Sequence, residues 1–220
     1  MMTVRMHDSE RFTLTPHLMK RWNNIPTAII ADVSDGACLI DPAIRPLRPA
    51  GEQPRLFGRA VTARCAPPDF GAVLRAIDFV VSGDVLVIDA QGTTGNAMIG
   101  SILGGQLRRK GAAGIVCNGP VRDVAELAGM KNFAVYARSV TPRGPNAWAH
   151  GEVNGPLNIS GGILNPGDLI IGDDDGLVAL DEEATQTLIS KAEEKLALED
   201  KWIAELKSGK NLAKVFKLDG

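Results

Sequence analysis

Aromatic side chains are scarce, 5% of the 220 residues, and nowhere do basic and aromatic residues interleave. The formal charge is −2, so the chain lacks the cationic excess that phosphodiester backbones demand; this argues against nucleic acid as a partner. No apolar run approaches the ~18 residues that mark a membrane span, so no membrane association is expected. Residues 1–15 are polar and charged, without the apolar centre of a secretory leader. Cysteine is limited to Cys38, Cys65 and Cys117, an odd set, widely spaced among apolar residues. Reduced core thiols in a cytoplasmic protein are expected, rather than a disulfide framework or a nucleophile. Phosphate-loop signatures are missing too: no Gly-Lys-Ser/Thr is present, and no Gly-x-Gly-x-x-Gly opens a helix.

What is present is an ordinary globular composition, 45% hydrophobic and 23% charged, at a length that suits one domain or a domain with a helical tail. Residues 15–38 read as helical with a break at Pro26, closed by the turn Ser34-Asp35-Gly36. A connector with Pro42, Pro46, Pro49 and Pro54 follows. Residues 57–65 read as a strand, and 70–81 as a helix with Val73, Leu74, Ile77 and Val81 at helical spacing. An internal echo then appears, 82–89 against 166–173, each a Gly-Asp turn feeding a β-branched run and hence a buried strand. Asp84 and Asp168 are read as turn formers. Helix 102–110, strand 114–117, helix 124–129 and strand 133–137 alternate as an α/β fold requires. Residues 155–180 read as β-rich, with turns at Gly161-Gly162, Pro166-Gly167 and Asp175-Gly176. The run Asp173-Asp174-Asp175-Gly176 lacks the ligand spacing of a calcium loop and reads as a charged hairpin turn. Residues 182–207 form a long amphipathic helix, available to a neighbouring subunit.

The stretch Gly114-Ile115-Val116-Cys117-Asn118-Gly119-Pro120-Val121-Arg122-Asp123 concentrates the candidate chemistry. A buried strand is broken by Gly119-Pro120, and a cation and an anion follow at its end, where α/β proteins place their sites. Arg122 can grip a carboxylate with two parallel hydrogen bonds, and Asp123 can hold a hard divalent cation. The same pair can equally be a solvated ion pair worth ~0–1 kcal/mol, or Asp123 can cap helix 124–129. Upstream, Ser101 reads as the N-cap of the helix that Gly111 stops, leaving the N–H groups of Gly100, Ser101, Ile102 and Leu103 to face an anion. A helix starting at Asn96 would instead bury them. Free amides, a guanidinium and a metal-binding carboxylate together suit a 2-oxo acid chelating Mg²⁺.

At these residues the chain resembles the RraA-like family (regulator of ribonuclease E activity A), which includes divalent-metal-dependent 4-hydroxy-4-methyl-2-oxoglutarate/4-carboxy-4-hydroxy-2-oxoadipate aldolases. The likeness runs from about Ile25 to Leu206. It rests on Gly100-Ser101-Ile102-Leu103, on residues 114–123 with Glu126, on Thr141-Pro142, and on Asn154-Gly155-Pro156 through Pro166-Gly167-Asp168 to Gly176. The resemblance implies a swivelling α/β/β sandwich with a long C-terminal helix. Residues 1–24 become an N-terminal extension, 25–181 the core, and 182–220 a helix and tail at a subunit interface of a homotrimer or homohexamer. It implies cleavage of 4-hydroxy-2-oxo acids to pyruvate, with oxaloacetate decarboxylation as a side activity. Gly100, Ser101, Ile102 and Leu103 would bind the substrate carboxylate, Arg122 the pyruvoyl oxygens, and Asp123 a Mg²⁺, Mn²⁺ or other divalent ion. Glu199 of a neighbouring subunit would complete the site, with Glu193 and Glu194 as alternatives on the same helix. Many aldolases of the family carry an acidic residue where this chain has Ser101, whereas regulator-type members often lack the metal-binding Asp that is present here. The other function on this fold is a non-catalytic regulator that binds an RNA-processing ribonuclease or helicase.

Overall fold

The computed structural model describes residues 3–159 and 162–218. In chain order the elements are β1 (Arg5–Met6), α1 (Pro16–Asn23), α2 (Thr27–Val33), β2 (Arg45–Pro46), β3 (Leu56–Arg64), α3 (Gly71–Phe79), β4 (Asp84–Asp89), α4 (Ser101–Arg109) and β5 (Gly114–Val121). There follow α5 (Val124–Ala128), β6 (Ala134–Val140), β7 (Glu152–Val153), β8 (Leu169–Gly172), β9 (Leu177–Leu180), α6 (Glu182–Thr187), α7 (Ile189–Lys207) and α8 (Leu212–Val215).

Strands β3, β4, β5 and β6 lie side by side and parallel, joined by α3, α4 and α5. Every residue of β4 and β5 is buried, as in a parallel sheet covered on both faces. Successive side chains alternate between those faces. Leu86, Ile88, Ile115 and Cys117 pack with Val73, Ile77, Leu107 and Leu127 of the crossover helices, while Val85, Val87 and Val116 pack with Ile44, Tyr136 and Ile170. The first half of β3 pairs with β8, which pairs with β9. Trp22, Ile30, Leu169, Ile171 and Val178 form a third cluster there, with Ile189 and Ala192 of α7. The layers are α/β/β, as the resemblance implies. The Trp22 indole N–H donates to the Thr185 carbonyl at 3.0 Å, fastening α1 to α6.

Several elements differ from the sequence reading. Gly119-Pro120 does not end β5; the pairing with β6 slips between Cys117 and Pro120, and the strand runs on to Val121. A bulge absorbs the proline, which has no N–H to give the ladder. The proline-rich connector contributes β2, antiparallel at the edge of β6, where a missing donor costs nothing. Among the described residues between 155 and 168 the pairing is an isolated bridge of Leu157 with Leu164, because Asn154-Gly155-Pro156 and Asn165-Pro166-Gly167 interrupt regular pairing. Gly161 of the Gly161-Gly162 turn lies outside the described residues. The terminal helix is two helices divided at Leu188, and Asp181 caps the first by accepting from the Ala184 N–H at 2.7 Å.

The turn-forming aspartates behave as read. Asp168 accepts from the Asn165 N–H at 2.7 Å, and burial pushes its carboxyl up to about 6. Asp84 accepts from the Val81 N–H and also receives both terminal nitrogens of Arg11 at 2.7 and 2.9 Å. Asp173-Asp174-Asp175-Gly176 is the β8–β9 hairpin turn, and Asp173 accepts from the N–H and hydroxyl of Thr27 at the start of α2. Cys65 and Cys117 are buried, Cys38 half-buried, and all three are free; burial pushes the Cys65 thiol up to about 12. Among the described residues no helix is long and apolar enough to cross a membrane.

Candidate active site

β5 delivers Arg122 and Asp123 directly. Asp123 adopts the left-handed conformation, φ 57° and ψ 48°, which Asp and Asn tolerate better than other side chains. It occupies the N-cap position of α5, yet its carboxylate makes no capping bond. Instead Oδ2 accepts from the Ser101 N–H at 2.9 Å and from the Ser101 hydroxyl at 3.1 Å. Among the described residues Oδ1 receives no hydrogen bond. Capping is therefore not the role of Asp123. An ordinary ion pair explains little either: Arg122 Nε stands 3.8 Å from Oδ2, with the side chains 40% and 34% exposed, a geometry worth ~0–1 kcal/mol.

The segment before α4 follows the end of β5. The Met98 N–H donates to Pro120, and the Arg122 N–H donates to Ile99 at 3.1 Å. Helix α4 starts at Ser101, so Ser101 is its first residue and Gly100 the cap, one position earlier than read, and a start at Asn96 is excluded. Ser101 gives its N–H to Asp123, whereas the N–H groups of Gly100, Ile102 and Leu103 meet no acceptor among the described residues. Three of the four expected amides thus remain open at the positive end of the helix dipole.

At the site, close approach constrains Gly100, while Gly144 faces the movable end of Arg122. A Cβ on Gly100 would lie 2.5 Å from Asp123 Oδ2 and 2.9 Å from Arg122 Cγ; one on Gly144 would lie 2.3 Å from Arg122 Nη1. The loop bearing Gly144 is held by the Ala97 N–H donating to Arg143 at 2.8 Å and the Asn96 amide donating to Gly144 at 2.6 Å. Gly100→Ala is expected to displace both functional side chains and lower turnover by about 100-fold or more, while the melting temperature falls by only a few degrees; steady-state kinetics and thermal melts check this.

The pair borders a cavity of about 250 Å³ whose lining includes Phe70, Leu74, Ile102 and Pro145. A second cleft of about 260 Å³, beside Val140 and Pro142, touches the other side of Arg122 and Asp123. A larger cavity of about 500 Å³ among α2, β9 and α6 contains neither; volume alone does not define the site, and the convergence of cation, carboxylate and open amides does. Phe70 and Pro145 come from the loops before α3 and after β6. Next to Phe70, burial would push the Asp69 carboxyl up, but the N–H groups of Gly71 and Ala149 and the His150 ring and backbone more than offset it, and it is held below the usual carboxylate range. His150 Nδ1 lies 3.0 Å from Asp69 Oδ2, so this histidine braces the wall. Neither Asp69 nor Gly144 had a signal in the sequence, because both act through contacts with distant segments.

The donor set accommodates a divalent ion at Asp123. Among the described residues no three His, Cys, Asp or Glu side chains gather as a metal cage, but Mg²⁺ takes one or two carboxylates and fills its remaining positions with water and substrate oxygens. The open Oδ1 suits that arrangement. Glu199 is not brought to Asp123 within one chain: it lies on α7, 3.5 Å from Lys195, which also pairs with Asp32 of α2 at 3.3 Å. Glu193 receives Arg21 at 2.8 and 2.5 Å.

A family model described as Aldolase/RraA matches residues 27–179. The chain belongs to the RraA-like family. A protein of Halalkalibacterium halodurans, provisionally named a 4-hydroxy-4-methyl-2-oxoglutarate aldolase, is 33% identical over 177 residues, 80% of this chain and 82% of the relative. The solved structure of the RNA-processing inhibitor RraA from Thermus thermophilus is 30% identical, with a TM-score of 0.62 over 70% of this chain and 92% of its own. An uncharacterized protein from Pseudomonas syringae pv. tomato superposes with a TM-score of 0.84 over 96% of this chain and 98% of its own, at 24% identity; that likeness carries the RraA-like fold alone. The matched region contains β3 to β6 together with Gly100, Ser101, Ile102, Leu103, Arg122 and Asp123, whereas Glu199 on α7 lies beyond it.

Proposed function

We propose that this protein is a divalent-metal-dependent lyase that cleaves 4-hydroxy-2-oxo acids, the class of 4-hydroxy-4-methyl-2-oxoglutarate and 4-carboxy-4-hydroxy-2-oxoadipate, to pyruvate, and that it also decarboxylates oxaloacetate. The observation that carries this reading is the meeting of the Arg122 guanidinium, the open Asp123 Oδ1 and the open amides of Ile102 and Leu103 at one cavity. Names given to relatives such as the Halalkalibacterium protein support the aldolase assignment.

The substrate carboxylate docks on the amides of Ile102 and Leu103 at the start of α4. Arg122, with its aliphatic stem set against Gly100 and its guanidinium against Gly144, faces the 2-oxo oxygen. A Mg²⁺ or Mn²⁺ on Asp123 would supply Lewis-acid polarisation of that oxygen. A water held by the carboxylate takes the C4 hydroxyl proton, the C3–C4 bond breaks, and its electrons pass through C3 to the 2-oxygen. The charge born there meets the fixed guanidinium, a preorganised stabilisation that develops with the transition state. The proton returns to C3, and pyruvate leaves with the carbonyl product. Oxaloacetate reaches the same enolate by losing CO₂.

In the same reading the core at 25–181 assembles as a homotrimer or homohexamer in the cytoplasm, and Glu199 on α7 reaches the site of a neighbouring subunit. The alternative, a non-catalytic regulator of an RNA-processing enzyme, draws support from the Thermus inhibitor. Pyruvate release from a panel of 4-hydroxy-2-oxo acids and oxaloacetate separates the two. With Mg²⁺ turnover is expected; after EDTA it should fall by about 100-fold or more and return on adding Mg²⁺ or Mn²⁺. Turnover that ignores EDTA removes the metal from the mechanism, and no turnover of any acid in the panel leaves the regulator.

A further inference from the structure

The segment ahead of α1 is fastened at both ends. At one end β1 lies along residues 149–153: the Thr3 N–H donates to the Ala149 carbonyl at 2.7 Å, the Arg5 N–H to Gly151 at 2.8 Å and the His7 N–H to Val153 at 3.0 Å. His7 Nε2 stands 2.8 Å from Glu152 Oε2, and Val4 packs against the main core. At the other end Arg11 grips the buried Asp84 with two bonds. The Arg59 guanidinium lies 4.3 Å over the Phe12 ring and donates to the Phe12 carbonyl. Arg5 and Met6 themselves are exposed, so at these residues the ladder, not burial, joins the segment to the sheet.

What β1 holds is the back of a site wall. Ala149 and His150 give their N–H groups to Asp69 Oδ2 at 2.9 and 3.0 Å, and the Phe70 N–H donates to Ala147 at 2.9 Å. Phe70 borders the cavity that Arg122 and Asp123 share. Slack between these segments is small. A Cβ on Gly71 would lie 2.8 Å from the Trp148 carbonyl, and one on Gly151 2.6 Å from the Arg64 carbonyl oxygen. Backbone packed this closely passes a displacement on rather than absorbing it. We propose that residues 3–7 are a positioning strap that fixes Phe70 through residues 147–151 and Asp69. Arg122 and Asp123 are set by other bonds, to Ile99 and Ser101, so loosening the strap moves the wall and leaves the charged pair in place. The strap precedes the 27–179 region matched by the family model, so it can be altered without entering that core.

Arg5→Pro removes the central donor of the ladder at an exposed position, and Arg5→Ala keeps it. Thr3→Pro, which removes the donor to Ala149, is the second variant and should repeat the Arg5→Pro result. Hydrogen exchange of the full-length protein is read by mass spectrometry. In Arg5→Pro, exchange over 66–74 and 145–153 should rise about three- to tenfold, the scale of one backbone hydrogen bond lost. Strands β4 and β5 should be unchanged, and Arg5→Ala should match the wild type. The kinetic consequence rests on the lyase reading: with Mg²⁺ and a 4-hydroxy-2-oxo acid, KM of Arg5→Pro should rise about threefold or more while kcat stays within about twofold. Unchanged exchange over both segments in the proline variants, or an equal rise in Arg5→Ala, overturns the strap. So does a fall in kcat with KM unchanged. Absence of turnover in the wild type overturns the lyase reading instead, and the exchange rates still decide the strap.

Discussion

Asp123→Asn is expected to lower kcat/KM for pyruvate release by at least about 1,000-fold, the scale of several kcal/mol of metal-assisted charge stabilisation, while the protein melts within a few degrees of the wild type. Asparagine is the informative replacement. It tolerates the left-handed backbone at φ 57°, and its amide oxygen can still accept the Ser101 N–H and hydroxyl bonds that Oδ2 accepts at 2.9 and 3.1 Å. What it removes is the negative charge on the open oxygen. Alanine would remove the charge and also place an unsuited side chain in the left-handed region, at about 1–2 kcal/mol, so its effects on activity and stability would be entangled. Kinetics beside thermal melts of the Asn variant keep them apart. Wild-type turnover in that variant would end the metal mechanism.

Arg122→Ala should cost about 100- to 1,000-fold, the range for losing one preorganised donor to a developing oxyanion. Its effect on stability should be slight, because the side chain is 40% exposed and its Nε stands as far as 3.8 Å from Asp123 Oδ2, a pairing worth ~0–1 kcal/mol. The distribution of the loss is diagnostic. A fall in kcat places the guanidinium on charge that appears during bond breaking, and a rise in KM alone would reduce it to a docking group for the substrate carboxylate. Arg122→Lys keeps the charge but not the planar fork, so partial recovery of kcat is expected. Recovery to wild-type levels would mean that position and geometry at this cation are unimportant.

Local chemistry made the centre of this molecule readable. Runs such as Val85-Leu86-Val87-Ile88 and Ile115-Val116-Cys117 can only be buried strands in a chain of this composition, and the helices between them force a parallel sheet. A charged pair directly after one of those strands marked the candidate site. Reading failed where two segments decide together. Gly119-Pro120 looks like a stop until β6 is there to absorb a bulge. Ser101 looks like a cap until Asp123, 22 residues on, claims its N–H and hydroxyl. Arg11 carries no local hint that it will meet Asp84 across 73 positions. Leu188 has no breaker chemistry, yet α6 and α7 part there, α6 packing on β9 and α7 on α2.

The left-handed backbone at residue 123 also limits what descent with modification can do to this protein. Few amino acids sit there cheaply: aspartate, asparagine and glycine. A lineage that drifts away from chemistry therefore has a short list of exits, and those exits leave the scaffold upright. On the proposed mechanism, one codon change silences turnover and spares the exterior, a route by which catalysts and purely adhesive proteins come to wear the same architecture.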